Sequence, residues 1–422
     1  MRIIILLFLS LACLFTARAE FDELFTGQTL RIDYVLSGNA HKEAAFLGKI
    51  SKEKTWYGSR KHFRDSYING NYYFEILDIK TGKIIYQQSF NTLFGEWQTT
   101  KEAKKIQKAF QQTAFFPCPV KPFEFWLKKR SDRVSSRLIM KVEVDPDDYL
   151  IPVESNHSEY ELIYGKGSPE NTVDLAFIAE GYSNSEQKKF LADVRRFSKY
   201  MFNIEPFRSH KDKFNIYAVL SVSEDSGTDN PGKGEWNHTA VETSFYTFGS
   251  ERYLTTAEYW KVSDRVKNIP HDHILIMVNT DKYGGGGIFN HYSVFSSNNE
   301  MSEIVFIHEF GHGFAGLGDE YYNSEVAYND FYPLDKEPLP PNLTTMVDFA
   351  SKWKNMVDND IPVPTPVTEE YKDRVGVFEG GGYVAKGVFR PQQNCRMKSN
   401  DSPEFCKVCR HSLEMVIEHY CK

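Results

Sequence analysis

Two histidines and one glutamate lie close enough in the sequence to form a hydrolytic metal site. His308, Glu309 and His312 belong to the pentapeptide HEFGH. Residues four apart in a helix share one face, so both imidazoles can reach one Zn²⁺ ion at about 2.0–2.1 Å. Glu309 is then placed to take a proton from a water molecule at the metal. The alternative is that both histidines are ordinary buried or surface residues and that Glu309 is a solvated charge.

A catalytic zinc site needs a third protein ligand and keeps one position open for water. Gly316 and Gly318 predict the end of the helix and a sharp turn, after which the chain continues with Asp319 and Glu320. Asp319 is the best candidate for the third ligand, because a short turn brings it back over the helix end. Glu320 is the second candidate and His291 is a weaker one. The pattern predicts one catalytic zinc ion.

The helix and the turn that follows it resemble a known signature. The segment from His308 to Tyr321 is similar to that of bacterial IgA-cleaving metallopeptidases and their relatives, and to the wider metzincin pattern. It has one extra residue before the third ligand, and Asp where His is usual. A second matching stretch lies downstream and contains Arg390-Pro391, Cys395-Arg396-Met397 and Phe405-Cys406-Lys407-Val408-Cys409.

This resemblance implies a zincin-like catalytic domain and a set of roles. It implies His308, His312 and Asp319 as zinc ligands and Glu309 as the general base. Met397 would correspond to the methionine turn beneath the metal in metzincins. "IgA" here refers to a family and does not assign a substrate.

The cysteines outside the N-terminal leader allow two structures. In an exported protein, disulfides are favoured among four cysteines near the C-terminus, Cys395, Cys406, Cys409 and Cys421. Their pairing is not readable from the sequence. The Cys-x-x-Cys spacing also suits a structural zinc site formed by the same four residues. Cys118 is the candidate for a free thiol.

The elements that must position these residues indicate an α+β chain. Runs that alternate at period two over 30–36, 72–76, 84–90 and 138–144 predict an N-terminal antiparallel β-sandwich over residues 20–155. Residues 156–422 form the predicted α/β catalytic domain with a mixed sheet. Its strands are expected at 173–179, 214–222, 273–278 and 288–295. Its helices are expected after the capping box at 183–186, over 255–266, and over 301–317 with the HExxH motif.

Four consecutive glycines, at positions 284–287, precede the last of these strands. Two interpretations remain open at this stage. The run could let a substrate backbone approach an edge strand, or it could form a flexible hairpin turn.

The N-terminus predicts export. Met1 and Arg2 precede an apolar run over 3–15, and Ala17-Arg18-Ala19 follows at the spacing that a signal peptidase recognises. A signal peptide over 1–19 directs the chain to the periplasm, the cell surface or the medium. A lipoprotein anchor at Cys13 is the second choice. No other stretch is expected to cross a membrane, and the net charge of −7 argues against a nucleic-acid partner.

These observations predict a secreted zinc metalloendopeptidase that acts on a protein or peptide. One alternative is a non-catalytic surface protein that binds a host protein or a glycan and carries a degenerate metal site. Another is a zinc amidase with a non-protein substrate.

Overall fold

The computed structural model describes residues 20–65, 69–322 and 331–421. The expected signal peptide over 1–19, including Cys13, lies outside the described residues. Within those three ranges, no helix has both the length and the apolar character needed to cross a bilayer.

The N-terminal part of the chain contains two four-stranded sheets. Its eight strands are β1 (Phe25–Gly38), β2 (Glu43–Glu53), β3 (Tyr72–Asp78), β4 (Ile84–Phe90), β5 (Lys108–Pro119), β6 (Phe123–Arg130), β7 (Ser136–Val144) and β8 (Val153–Glu154). The short helix α1 (Leu93–Trp97) connects the two sheets between β4 and β5. One sheet has the order β5-β1-β2-β8 and the other β4-β3-β6-β7. All neighbours are antiparallel except the β2–β8 pair, which is parallel. The predicted β-rich N-terminal region is confirmed.

Strand β1 is buried on both of its faces, so the sandwich packs against another part of the protein. Its alternate residues Leu30, Ile32, Tyr34 and Leu36 are fully buried in a core rich in aromatic rings, as period-two alternation predicts. Its intervening polar residues Arg31 and Asp33 are also buried, only 4% and 6% exposed. Arg31 Nη1 lies 2.6 Å from Asp264 Oδ1, and Trp260 Nε1 donates to the Gln112 carbonyl over 3.0 Å. The second face of this sheet is therefore docked against the rest of the protein.

The remaining part of the chain is built on a mixed sheet. Its strands are β9 (Tyr160–Tyr164), β10 (Val173–Glu180), β11 (Phe214–Val219), β12 (Thr243–Ser244), β13 (Thr255–Thr256), β14 (His273–Val278), β15 (Gly285–Ile288), β16 (Tyr292–Ser296), β17 (Phe378–Gly381) and β18 (Val384–Arg390). Six of them form one sheet in the order β15-β16-β14-β10-β11-β9. The four inner strands are parallel, and β9 and β15 are antiparallel edges. The predicted mixed sheet is confirmed.

Among the described residues of this part of the chain there are four α-helices: α2 (Gln187–Met201), α3 (Tyr259–Val266), α4 (Ser302–Ala315) and α5 (Lys407–Cys421). The capping box of Ser183 and Glu186 forms as predicted and leads into α2. Strand β10 is buried along its whole length, as expected where both faces of a parallel sheet are covered.

Two predicted elements were wrong in their bounds. The helix expected over 255–266 begins only at Tyr259, because Thr255 and Thr256 pair with β12. β-Branched residues favour this extended pairing over a helical start. The strand expected over 288–295 is two strands, β15 and β16, joined by a turn in which Asn290 has φ of 50°. Asn tolerates this left-handed conformation better than most residues.

Candidate metal centre

Helix α4 carries the HEFGH segment and packs tightly into the core. Phe306, Phe310 and Phe314 are buried along one side. Gly311 and Gly313 are sites of close approach: an added Cβ would lie 2.9 Å from Met397 Sδ and 2.2 Å from Ser293 Oγ, respectively. These contacts hold the helix at a fixed height above the sheet and above Met397. Met397 lies against Gly311, between the two histidines of the helix. Its role as a methionine turn stays a prediction.

The end of α4 returns the chain toward the histidines. Gly316 has φ of 63° and its N–H donates to the carbonyls of Gly311 and His312, a left-handed cap that glycine adopts without steric cost. The sharp turn predicted from the glycines therefore forms. It brings Asp319 back over the helix end.

Three side chains converge above this turn. The Nε2 atoms of His308 and His312 are 3.1 Å apart. Asp319 Oδ1 lies 3.0 Å from His308 Nε2 and 3.2 Å from His312 Nε2. A tetrahedral cation with bonds of about 2.0–2.1 Å holds its ligand atoms roughly 3.3 Å apart. The three donor atoms thus have the separations that one Zn²⁺ ion would need.

Each of these side chains is oriented by a second contact. His308 Nδ1 donates to the Arg396 carbonyl over 3.0 Å, and His312 Nδ1 donates to the Leu317 carbonyl over 2.6 Å. Carbonyl acceptors at Nδ1 leave the Nε2 lone pairs free to bind a metal. The Tyr383 hydroxyl donates to Asp319 Oδ2 over 2.6 Å.

The other oxygen of Asp319 is the clearest indication that the site fits a cation. Asp319 Oδ1 is buried and, within the described part of the chain, has no hydrogen-bond partner of ordinary geometry. A buried carboxylate oxygen without a partner is unfavourable. A cation between Asp319 and the two imidazoles would satisfy it.

The electrostatics of the site favour a cation at this point. Burial raises the pKa of Asp319, but the two histidines outweigh burial and hold it well below its usual range. Burial lowers the pKa of His312, but Asp319 and Glu309 raise it to about 9. Burial raises the pKa of Glu309, against the opposing effect of the histidines. Positive charge is stabilised at His312, and Glu309 is a stronger base than an exposed carboxylate.

Glu320, the second candidate for the third ligand, faces the opposite way. Its Oε1 accepts from Asn342 Nδ2 over 2.9 Å and lies 3.2 Å from Cys409 Sγ. The alternation of side chains along an extended segment sends consecutive residues to opposite sides. His291, the weaker candidate, is stacked on Tyr259 at 3.5 Å between ring centroids, away from the site.

The structure joins none of the C-terminal cysteines in a disulfide, so the expected pairing stays a prediction. Cys395, Cys406, Cys409 and Cys421 are all free thiols, as is the buried Cys118. The first three converge on Glu320. Cys421 lies apart, with its Sγ 3.7 Å from the Lys213 carbonyl. The sequence alone could not show this, because Glu320 is far from the cysteines along the chain.

The glycine run has a packing role that neither sequence interpretation captured. An added Cβ on Gly285 would lie 3.0 Å from Glu309 Oε1, and one on Gly287 would lie 2.3 Å from the Glu309 carbonyl oxygen. Strand β15 therefore crosses α4 too closely for any side chain. Gly285 also pairs outward, donating to the Arg252 carbonyl and accepting from Leu254 N–H. A peptide cannot add to the edge strand at that residue.

A cleft of about 520 Å³ opens over Glu309 and the two histidines. Its walls come from three regions of the chain. Glycines of β15, Arg252 and Tyr321 form one side, and segment 331–340 forms another. The sandwich supplies residues that include Glu96 and Arg130. Sequence reasoning missed Arg252 and the sandwich wall, because no motif relates them to the HEFGH segment.

Comparisons with known families agree with the resemblance noted from the motifs. The family described as IgA Peptidase M64 matches residues 162–374 and 367–417. The family described as Peptidase M64 N-terminus matches residues 20–140. No curated protein matches the chain. Because the two matches together cover most of its length, the chain belongs to the IgA peptidase M64 family and is a metallopeptidase.

Proposed function

We propose that the protein is an exported zinc endopeptidase with Glu309 as its general base. His308, His312 and Asp319 would hold the ion. The observation that carries this proposal is the convergence of their three donor atoms, 3.0–3.2 Å apart, around the unpartnered Asp319 Oδ1.

The donor set fits zinc and a catalytic role. Two imidazoles and one carboxylate are a common set for a catalytic zinc ion. Three protein ligands leave a fourth position, and here the histidines line a cleft that a substrate can enter. When bound, the ion supplies Lewis-acid chemistry: it makes a water molecule more acidic and polarises the carbonyl of the scissile bond.

The protein's own residues divide the remaining work. Glu309 lies one residue from the first ligand and lines the same cleft. Its raised pKa suits a group that takes a proton from the attacking water and then gives it to the leaving amine. The carbonyls of Arg396 and Leu317 hold the imidazoles in the tautomer that binds metal. Tyr383 keeps Asp319 in place.

The substrate would be a peptide chain that lies across the cleft. Gly285 is already paired with the segment at Arg252 and Leu254, so the peptide would run beside this segment. Arg252 lies over the Tyr321 ring at 5.9 Å, and its charge acts on Glu309. The guanidinium is a donor for a substrate carbonyl on this side.

Export and the domain division are part of the same proposal. A signal peptide over 1–19 would be removed, so that the mature chain begins at Glu20. The sandwich over 20–155 would form one wall of the cleft of the catalytic domain over 156–422. Mass analysis of the exported protein tests this, since a retained N-terminus would exclude cleavage at that bond.

The proposed base is tested with Glu309→Gln, which keeps the size of the side chain and removes its basicity. We expect hydrolysis of casein and of fluorogenic peptides to fall by roughly 10³-fold or more, with unchanged zinc content. The matched control is Glu303→Gln on the same helix, where the carboxylate pairs with Arg196 at the surface and activity should persist.

Chelation completes the test. Removal of metal should abolish cleavage by the wild-type protein, and added Zn²⁺ should restore it. Retained activity in Glu309→Gln would reject Glu309 as the base. Cleavage that resists metal removal would reject the zinc mechanism as a whole.

A further inference from the structure

A second group of potential metal ligands lies behind the first. Glu320, Cys395, Cys406 and Cys409 each direct one donor atom to a common point, with all four atoms within 4.8 Å of one another. All four residues are buried, none more than 5% exposed. None of them lines the cleft over His308. The cluster is closed to solvent.

The distances within the cluster do not fit a disulfide. Cys395 Sγ and Cys409 Sγ are 3.8 Å apart, whereas a disulfide bond is about 2.0 Å long. Three cysteines can form only one disulfide, which would leave the third thiol buried against a carboxylate. The expected pairing therefore leaves this group unexplained.

The same distances fit a tetrahedral ion. Zn–S bonds of about 2.3 Å place two sulfurs roughly 3.8 Å apart, and an oxygen ligand roughly 3.5 Å from each sulfur. Glu320 Oε1 lies 3.2 Å from Cys409 Sγ and 4.0 Å from Cys406 Sγ. The four atoms are the corners that such an ion requires.

The cysteine sulfurs of the cluster lie among hydrogen-bond donors and positive charge. The backbone N–H groups of Cys406 and Cys409 donate to Cys395 Sγ over 3.2 Å and to Cys406 Sγ over 3.5 Å. Cys409 lies in the first turn of α5, where the helix N-terminus favours negative charge. Buried Arg390 and Arg396 act electrostatically on Glu320 and on Cys395. These are the surroundings that thiolate ligands of a metal need.

Glu320 supplies an independent observation. It is fully buried, and its Oε2 has no hydrogen-bond partner among the described residues. An isolated buried carboxylate is strongly unfavourable unless it is paired or binds a metal. A cation at the centre of the cluster would account for its burial.

We propose that Glu320, Cys395, Cys406 and Cys409 hold a second, structural Zn²⁺ ion with no position open to water. Three thiolates select a soft or borderline cation, and a closed four-ligand set is typical of structural zinc. This inference goes beyond the proposed function, because the second ion takes no part in hydrolysis.

The second ion would stabilise the geometry of the catalytic site. Glu320 directly follows Asp319, and Cys395 directly precedes Arg396, whose carbonyl orients His308. The two segments are already joined where Glu320 N–H donates to the Met397 carbonyl over 2.8 Å. An ion bound by Glu320 and Cys395 would fix the positions of both segments behind the histidines.

The first test is the zinc content of the full chain, purified without chelator and measured by mass spectrometry of the metal. We expect about two equivalents in the wild type, and about one in both His308→Ala/His312→Ala and Cys409→Ser. Cys421→Ser is the matched control, because Cys421 is on the same helix as Cys409 and outside the cluster. It should keep both ions.

A second measurement covers the case in which Cys409→Ser does not fold. The His308→Ala/His312→Ala variant keeps every cysteine, and Co²⁺ in place of zinc should show thiolate-to-cobalt charge-transfer absorption. A folded variant that lacks this absorption, or that binds no metal, would overturn the proposal. So would a disulfide among the three cysteines in the intact protein.

The same data separate this proposal from the catalytic one. A wild type with two ions and no peptidase activity would refute the catalytic proposal and leave the cysteine site supported. An active enzyme with one ion, lost in His308→Ala/His312→Ala, would refute only the cysteine site.

Discussion

The two groups of side chains that could hold a metal ion lie back to back and differ in what surrounds them. The histidine group has three ligands, and the side chains of His308 and His312 are 14% and 15% exposed to the cleft. The cysteine group has four ligands and is closed. Ligand number and access to water decide whether a zinc site can catalyse a reaction or only stabilise a fold. Under the two proposals, the neighbouring residues Asp319 and Glu320 would serve these two purposes from opposite sides of one segment.

The comparison suggests that one short loop, which contains Asp319 and Glu320, couples catalytic activity to the stability of the fold. Under both proposals, Asp319 would complete the catalytic group, and the neighbouring Glu320 would anchor the same loop through the cysteine group. Mutations in the first group should therefore affect activity with little effect on folding. Mutations in the second should affect both.

The largest effect on activity is expected for His312→Ala. Loss of one imidazole removes the catalytic ion, so kcat/KM for a fluorogenic peptide should fall by roughly 10⁴-fold or more. The free energy of unfolding should change far less than activity. His411→Ala, at an exposed histidine of α5, is the control. Substantial activity in His312→Ala would contradict the comparison.

Cys406→Ser tests the proposed structural role of the cysteine group. Loss of a structural metal should lower the free energy of unfolding by on the order of 4 kcal/mol, measured by chemical denaturation. Activity should fall as well, because the loop that carries Asp319 loses its support. Cys421→Ser should leave both quantities near the wild-type values. An unchanged free energy of unfolding in Cys406→Ser would show that the cysteine group does not stabilise the fold and would contradict the comparison.

Tyr383→Phe sharpens the comparison within the catalytic group. The hydroxyl that donates to Asp319 Oδ2 is lost, while the ring remains. Removal of such an orienting contact typically costs about 10–100-fold in metal affinity or activity. Titration with a competing chelator measures the affinity, and Tyr149→Phe, at a residue 92% exposed, is the control. Equal affinity in Tyr383→Phe and in the wild type would show that Asp319 is held by other contacts.

The smallest effect is a change in pH dependence for Arg252→Gln. Burial raises the pKa of Glu309, His308 and His312 oppose this, and the charge of Arg252 adds to the opposition. Loss of that charge raises the pKa of Glu309 further. Because only the carboxylate accepts a proton, the acidic limb of the kcat/KM profile should move to higher pH. Arg252→Lys keeps the charge and should keep the limb, whereas a shift to lower pH in Arg252→Gln would contradict the sign.

Much of the site could be predicted because its determinants are local. The spacing of His308 and His312 needs only helix periodicity, and the turn to Asp319 needs only the left-handed cap at Gly316. Strands β1, β3, β4 and β7 of the sandwich followed from alternation, and the α+β class followed from the order of elements, whereas β2, β5, β6 and β8 were not predicted. Element bounds were less certain where β-branched residues or an Asn turn competed with the pattern, as at Thr255 and Asn290.

The cysteines show where sequence reasoning was incomplete. Export and cysteine number favoured disulfides, but no pattern could relate Glu320 to Cys395, Cys406 and Cys409. The glycine run at 284–287 was interpreted as a substrate edge or a hairpin turn, and the structure adds a close crossing of β15 over α4. Both features depend on contacts between segments that are distant in the chain.

The amino-acid sequence alone determined which side chains can act as ligands on α4, because a helix places residues four apart on one face whatever surrounds it. Only the tertiary structure decided that Asp319 turns to the histidines and Glu320 to the cysteines. It also decided that the Arg396 carbonyl orients His308 and that the sandwich walls the cleft. The physical reason is that these contacts depend on how whole elements pack, and packing is set by shape and burial summed over the protein rather than by any short motif.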